Sequence, residues 1–181
     1  MISIKHTVEK NFGGRFLRRS AVGLREGEMI LASFVQNKGY KTILEIGTYL
    51  GFSTAVLAQH CEKIITVDLV DGRLEDTFGK FDRTKLWSDL GLNNIEQLLV
   101  KDNHDKYMQL KDLEYDFAFI DGDHGPDMIV DWLLVNKCKN VLFHDYDISN
   151  RTGLNYVYTL VNSLPQNEVQ IIDVFAHWQS T

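Results

Sequence analysis

Two short stretches of this chain concentrate the side chains that move protons and hold cations. Asp116-Phe117-Ala118-Phe119-Ile120-Asp121-Gly122-Asp123-His124-Gly125 sets carboxylates and an imidazole directly behind an apolar run. Val141-Leu142-Phe143-His144-Asp145-Tyr146-Asp147 repeats that arrangement further along. Carboxylates that converge can hold a hard divalent cation through oxygen or accept a proton from a hydroxyl nucleophile. If the two apolar runs are neighbouring strands, Asp121, His144 and Asp145 meet at one sheet edge, with His124 beside them. His144 is the first candidate for a general base or metal ligand, and His124 the second. His6, His60, His104 and His177 lack an acidic setting and read as structural or solvent-facing.

A third stretch offers a place for a ligand rather than a reaction. Ile43-Leu44-Glu45-Ile46-Gly47-Thr48-Tyr49-Leu50-Gly51-Phe52-Ser53 reads as a buried strand, a glycine-bearing turn and a helix start. Such a turn at the carboxyl end of a parallel strand is where open α/β sheets bind nucleotide-like ligands. Gly47 lets a ligand approach bare backbone. Gly51 eases the tight turn into the helix, and Ser53 or Thr54 can cap it. The spacing is Glu-x-Gly-x-x-x-Gly, which lacks the three glycines of a dinucleotide fingerprint. Glu45 suits a cationic or amine-bearing ligand. Asp68 ends Ile64-Ile65-Thr66-Val67-Asp68, placed to accept both hydroxyls of a ribose. Asp102 follows Leu98-Leu99-Val100-Lys101, placed to accept from an adenine amino group.

Strands and helices must alternate to bring these acids together. Apolar runs predict strands at Thr42–Ile46, Ile64–Val67, Ile95–Val100, Phe117–Ile120, Val141–Phe143 and Val169–Phe175. Helical periodicity predicts Glu26–Lys38, Ser53–His60, Arg83–Leu90, His104–Leu110, Met128–Lys137 and Gly153–Ser163. This alternation implies right-handed βαβ units and a mostly parallel sheet with helices on both faces. Residues 1–25 read as an irregular N-terminal arm or lid carrying Lys10, Arg15, Arg18 and Arg19, and residues 26–181 as one domain. The irregular stretch Asp71–Asp82 is a candidate site-lining loop. Tyr49, Phe78 and Tyr146 are candidates to wall an acceptor pocket, whereas Asp127 and Asp131 read as cap or surface charges.

The bulk properties narrow the function classes. A chain of 181 residues with 44% hydrophobic and 24% charged residues fits one globular domain. A net charge of −6 makes a nucleic-acid partner unexpected. No apolar run approaches the ~18 residues that span a bilayer, and the N-terminus lacks a signal-peptide core. Cys61 and Cys138 fit neither a disulfide framework nor a zinc ribbon, so a cytoplasmic, reducing setting is expected.

Taken together, the glycine turn and the acids ending successive strands resemble the class I S-adenosylmethionine-dependent methyltransferases. The resemblance covers residues 26 to 175. It implies a Rossmann-like, doubly wound sheet ordered 3-2-1-4-5-7-6 with the seventh strand antiparallel. Few residues follow Phe175, so that last strand is expected to be short or missing. It implies that the glycine turn holds the methionine part of the cofactor, that Asp68 binds ribose and that Asp102 contacts adenine. The cofactor-facing set is then Glu45, Gly47, Thr48, Tyr49, Gly51, Ser53, Asp68, Asp102 and Asn103, with Asp121 at its border with the chemistry. The phrases Phe-Ile-Asp-Gly-Asp-His and His-Asp-Tyr are similar to those of small-molecule O-methyltransferases acting on sugars and antibiotics. That subgroup implies a sugar or phenolic hydroxyl acceptor, Asp121, His124, His144 and Asp145 at the chemical centre, and a magnesium ion on Asp121 and Asp145. The pattern departs where His144 or Tyr146 stands in place of a second Asp or Asn. A homodimer is expected on the frequency of isologous pairs. A nicotinamide-dependent oxidoreductase and a catalytically silent cofactor-binding subunit are the alternatives, opposed by the missing glycine and the intact acid and histidine clusters respectively.

Overall fold

Seven runs rich in β-branched and aromatic residues pair into a single sheet in the order β3-β2-β1-β4-β5-β7-β6. The computed structural model describes residues 3–13, 25–69, 81–122, 125–146, 155–172 and 175–180. The strands are β1 Thr42–Ile46, β2 Lys63–Leu69, β3 Ile95–Val100, β4 Phe117–Ile120, β5 Asn140–Phe143, β6 Val169–Ile172 and β7 Phe175–Gln179. The helices are α1 Ile4–Asn11, α2 Arg25–Val35, α3 Phe52–Ala58, α4 Arg83–Asp89, α5 Asn103–Leu110, α6 Met128–Val135 and α7 Asn155–Ser163. β1 to β5 are parallel, and β7 runs antiparallel to both β5 and β6.

The central strands are apolar on both faces because helices cover both. Along β1, Ile43 faces the core built with α1 to α4, whereas Leu44 and Ile46 face the core built with α5 to α7. This is the two-residue alternation of a strand. Glu45 therefore points to the first of these faces, from a position with no solvent exposure.

Register sets the site edge. Ile46 pairs with Ile120, and Ile120 with Phe143. The ladder continues one residue further: Gly47 N donates to Val67 O at 2.8 Å, Asp121 N to Ile46 O at 2.8 Å and His144 N to Ile120 O at 3.0 Å. Gly47, Asp121 and His144 thus stand in one row at the carboxyl edge of three adjacent strands. Among the described residues no helix is long and apolar enough to cross a membrane.

Two expectations need correction. The seventh strand is complete. The run expected as one strand over Val169–Phe175 is a hairpin, in which Ile172 pairs with Phe175 and Val169 with Trp178. No glycine or proline marks the reversal, and a single charged residue, Asp173, interrupts the apolar pattern there. The beginning of the chain is not irregular either. Ser3 caps α1 by accepting from His6 N at 3.4 Å, and Ile4 and Val8, one turn apart, are fully buried in the core. Two apolar residues in a polar octet give too little periodicity to reveal that helix. Arg15, Arg18 and Arg19, the basis of the lid reading, lie outside the described residues.

Candidate active site

The glycine turn is shaped by its neighbours. Gly47 has φ +101°, and a Cβ there would overlap the backbone carbonyl of Asp121. Its bareness lets the β1 and β4 ends come together. Gly51, at φ +72°, is the N-cap of α3, and a Cβ there would strike the Trp87 indole. That indole donates to Gly51 O at 2.9 Å. Ser53 and Thr54 do not cap the helix, because both hydroxyls face the buried Glu45 carboxylate.

Glu45 Oε2 accepts from Thr54 Oγ1 at 2.5 Å and from Thr66 Oγ1 at 2.6 Å. Thr66 Oγ1 lies 2.7 Å from Thr48 Oγ1. A hydroxyl has one proton, so with Thr66 donating to Glu45, Thr48 donates to Thr66. Burial pushes the Glu45 pKa up to about 7, against the hydroxyl bonds that lower it. Its Oε1 is buried without a hydrogen-bond partner among the described residues.

Asp68, at the end of β2, is nearly consumed by protein donors. Oδ2 accepts from Tyr49 N at 3.1 Å and from Arg83 Nη1 at 2.9 Å, and Oδ1 accepts from Leu69 N at 3.0 Å. Burial raises its pKa above the usual carboxylate value despite the Arg83 guanidinium. Arg83 also donates to Tyr49 O at 2.7 Å. Tyr49 holds a left-handed backbone with φ 46°, and Asp68 and Arg83 grip its N–H and its carbonyl. Asp102 is exposed and caps α5 by accepting from Asp105 N at 2.8 Å; Asn103 opens that helix.

Asp121, His144 and Asp145 converge as expected. His144 Nδ1 lies 2.7 Å from Asp121 Oδ1 and 3.2 Å from Asp145 Oδ2. One ligand atom from each of the three lies within 4.8 Å of the others. Asp145 reaches back through a left-handed backbone, φ 55°. His144 is buried against the rings of Phe119 and Phe175. Burial lowers its pKa, but the Asp121 and Asp145 carboxylates outweigh burial and raise it to about 10. His144 therefore carries its proton at neutral pH and is no general base in that state. His124 and Phe78 lie outside the described residues.

Other side chains depart from the sequence reading. Tyr146 is buried in the second core, accepts from Asn162 Nδ2 at 3.2 Å and stacks on Tyr158. Asp131 is no surface charge. It is fully buried on α6 and accepts from Lys106 Nζ at 2.6 Å. Its Oδ2 faces Gly122, in the loop behind Asp121. Sequence reasoning also missed Arg83. No spacing distinguishes it from other basic residues at a helix start; the only hint was its place after the long Asp71–Asp82 stretch.

Known proteins share the fold. Superposition relates the chain to the O-methyltransferase from Bacillus cereus, determined in complex with SAH, at 18% identity and TM-score 0.66, covering 98% of this chain and 90% of that one. The O-methyltransferase TomG from Streptomyces achromogenes, involved in tomaymycin synthesis and determined with SAM, gives 16% identity and TM-score 0.65 over 100% and 91%. The SAH-bound Podospora anserina methyltransferase PaMTH1 gives 12% identity and TM-score 0.66 over 99% and 89%. At such identities these likenesses establish the fold. No curated protein matches the chain in sequence. Residues 44–146, which run from β1 through the His144–Asp145 cluster, match the family model of the methyltransferase domain. The match spans more than half of the chain and includes every strand end discussed above, and on that ground the protein belongs to the methyltransferase-domain family.

Proposed function

We propose that the protein transfers a methyl group from S-adenosylmethionine to a hydroxyl of a small molecule, a sugar or a phenolic compound. The observation that carries this reading is the convergence of Asp121, His144 and Asp145, one strand away from the Gly47 turn. The known structures with SAH or SAM bound on the same fold support the cofactor. The residues fit it: Asp68 keeps some acceptor capacity at the strand end, and Glu45 Oε1 is buried without a hydrogen-bond partner among the described residues.

In the reaction a C–O bond forms as the sulfonium S–C bond breaks, giving S-adenosylhomocysteine and a methyl ether. The acceptor must lose its proton as it attacks. His144 already holds a proton, so a carboxylate takes this one. Asp121 binds the imidazole at the shorter distance, and Asp145, the more exposed of the two, receives the acceptor's proton. Holding the two reactants in line supplies much of the rate.

The same three residues fit a divalent cation, since each offers one ligand atom and these lie within 4.8 Å of one another. Asp121 and Asp145 would hold it, with His144 Nδ1 giving up its proton to join them. Such an ion supplies Lewis acidity that lowers the acceptor's pKa. Dialysis against a chelator followed by magnesium titration, with heat of binding and activity both recorded, tests this part. No heat and no change in activity would remove the cation.

Replacing Asp145 by Ala tests the whole reading. Turnover should fall by about 10²–10⁴-fold, with S-adenosylhomocysteine affinity nearly unchanged in calorimetry. Unchanged turnover would take Asp145 out of the mechanism. Tight binding of NAD with no response to S-adenosylhomocysteine would instead favour an oxidoreductase.

A further inference from the structure

Arg83 is the one described side chain that touches the glycine turn, the β2 acid and β3 together. It opens α4, where Asp82 caps the helix by accepting from Lys85 N at 3.0 Å. Its guanidinium is largely buried and reaches back under the turn. There it donates to Tyr49 O at 2.7 Å and to Asp68 Oδ2 at 2.9 Å. With the Gln97 amide oriented to accept, Arg83 Nε lies 2.7 Å from its oxygen, and Nη2 contacts the same atom. Arginine is seldom buried unless paired, and this one is paired on every side with groups that border the cofactor's place.

A carboxylate has about four acceptor positions, two on each oxygen. On Asp68, Tyr49 N and Arg83 fill both positions of Oδ2, and Leu69 N takes one of Oδ1. Among the described residues one position remains, on Oδ1. The general expectation for an acid at this strand end is that it takes both ribose hydroxyls. The geometry here leaves no room for that.

We infer that Arg83 is a positioning and specificity residue for the cofactor: by occupying Asp68 Oδ2 and fixing the Tyr49 turn, it restricts Asp68 to one ribose hydroxyl. Asp68 then reads the ribose through Oδ1 alone, and the other hydroxyl gains nothing from it. This rests on the cofactor reading proposed above.

The test is calorimetric titration of wild type, Arg83→Met and Arg83→Lys with S-adenosylhomocysteine and its 2′-deoxy and 3′-deoxy analogues. In wild type one deoxy analogue should bind about tenfold or more weakly, the scale of one hydrogen bond to a charged group. The other should bind within about threefold of the parent, too small a loss for such a bond. In Arg83→Met, with Oδ2 released, both analogues should lose affinity, whereas Arg83→Lys should keep the wild-type asymmetry. A purely structural role would weaken all three ligands by a common factor and leave their ratios unchanged. Equal losses for both analogues in wild type overturn the inference while leaving the cofactor reading intact. No binding of S-adenosylhomocysteine to wild type overturns both. The wild-type arm stands even if Arg83→Met fails to fold.

Discussion

The two halves of the site handle buried negative charge in opposite ways. On the side proposed to hold the cofactor, Glu45 accepts from the neutral hydroxyls of Thr54 and Thr66, with no cation among its partners in the described residues. On the acceptor side, two carboxylates crowd one imidazole nitrogen. Folding favours the protonated form in both places, for opposite reasons. Burial lifts Glu45 to about 7, against the hydroxyl bonds that lower it. Two anions outweigh burial and lift His144 to about 10. Neutral donors orient a group without setting its charge, which suits a half that binds. Surplus anions hold a proton or a metal ion, which suits a half that reacts.

The largest expected effect comes from breaking the seam between the halves. Gly47→Ala would place a methyl group on the Asp121 carbonyl, from a backbone at φ +101°. Overpacking and strain together should cost about 4–5 kcal/mol, read as a lower midpoint in urea unfolding. If the two halves are independent, the variant should keep near-wild-type stability, and the seam drawn here would be wrong.

The next effect isolates the acceptor side. The folded His144 pKa is raised from 6.5 to about 10. Its contribution to stability is therefore complete below pH 6.5 and is lost as pH rises through 10. In chelator-treated protein this should remove about 4 kcal/mol across that window. His144→Gln should flatten the alkaline slope. A wild-type stability that is level from pH 6.5 to 10 would show that the carboxylates do not govern the imidazole.

How much of this was legible in the sequence differs between the halves in the same way. The acceptor cluster was readable because its residues follow short apolar runs whose strand ends align. Asp121 and His144–Asp145 needed only neighbouring strands to meet. On the other side the strand-end positions of Glu45 and Asp68 were readable, but not what surrounds them. Nothing in the spacing shows that Thr54 turns inward to Glu45, or that Arg83 crosses from α4 to Asp68. Long-range pairs leave no periodic trace. Asp131 was misread for the same reason, because its partner Lys106 comes from a different helix. The β6–β7 hairpin was hidden because its reversal carries no glycine or proline, and α1 because it has only two buried apolar positions.

Glu45→Gln sharpens the contrast from the cofactor side. Folding raises the Glu45 pKa from 4.5 to about 7, so the folded state holds the proton more tightly. Wild-type stability should then fall as pH rises from 4.5 through 7, by about 3 kcal/mol from this group. The Gln variant lacks that slope, so the stability difference between it and wild type should shift in favour of Gln over that window. The acid limb thus belongs to Glu45 and the alkaline limb to His144. An unchanged acid limb in Glu45→Gln would mean that Glu45 titrates like a solvated carboxylate, and the opposition between the halves would fail there.

The smallest effect tests whether the hydroxyl chain orients Glu45 or only fills space. Thr66→Val keeps the shape but removes the hydroxyl that joins Glu45 to Thr48. One buried hydrogen bond contributes about 1 kcal/mol, and Thr54 remains as a donor, so stability should drop by roughly that amount at pH 8. The drop should shrink at pH 5, where Glu45 is protonated and depends less on donors. Because those bonds lower the Glu45 pKa, their loss should also move the acid limb upward in pH. A drop of equal size at both pH values, with the limb unmoved, would assign Thr66 to packing and leave the α3 hydroxyls to hold the carboxylate.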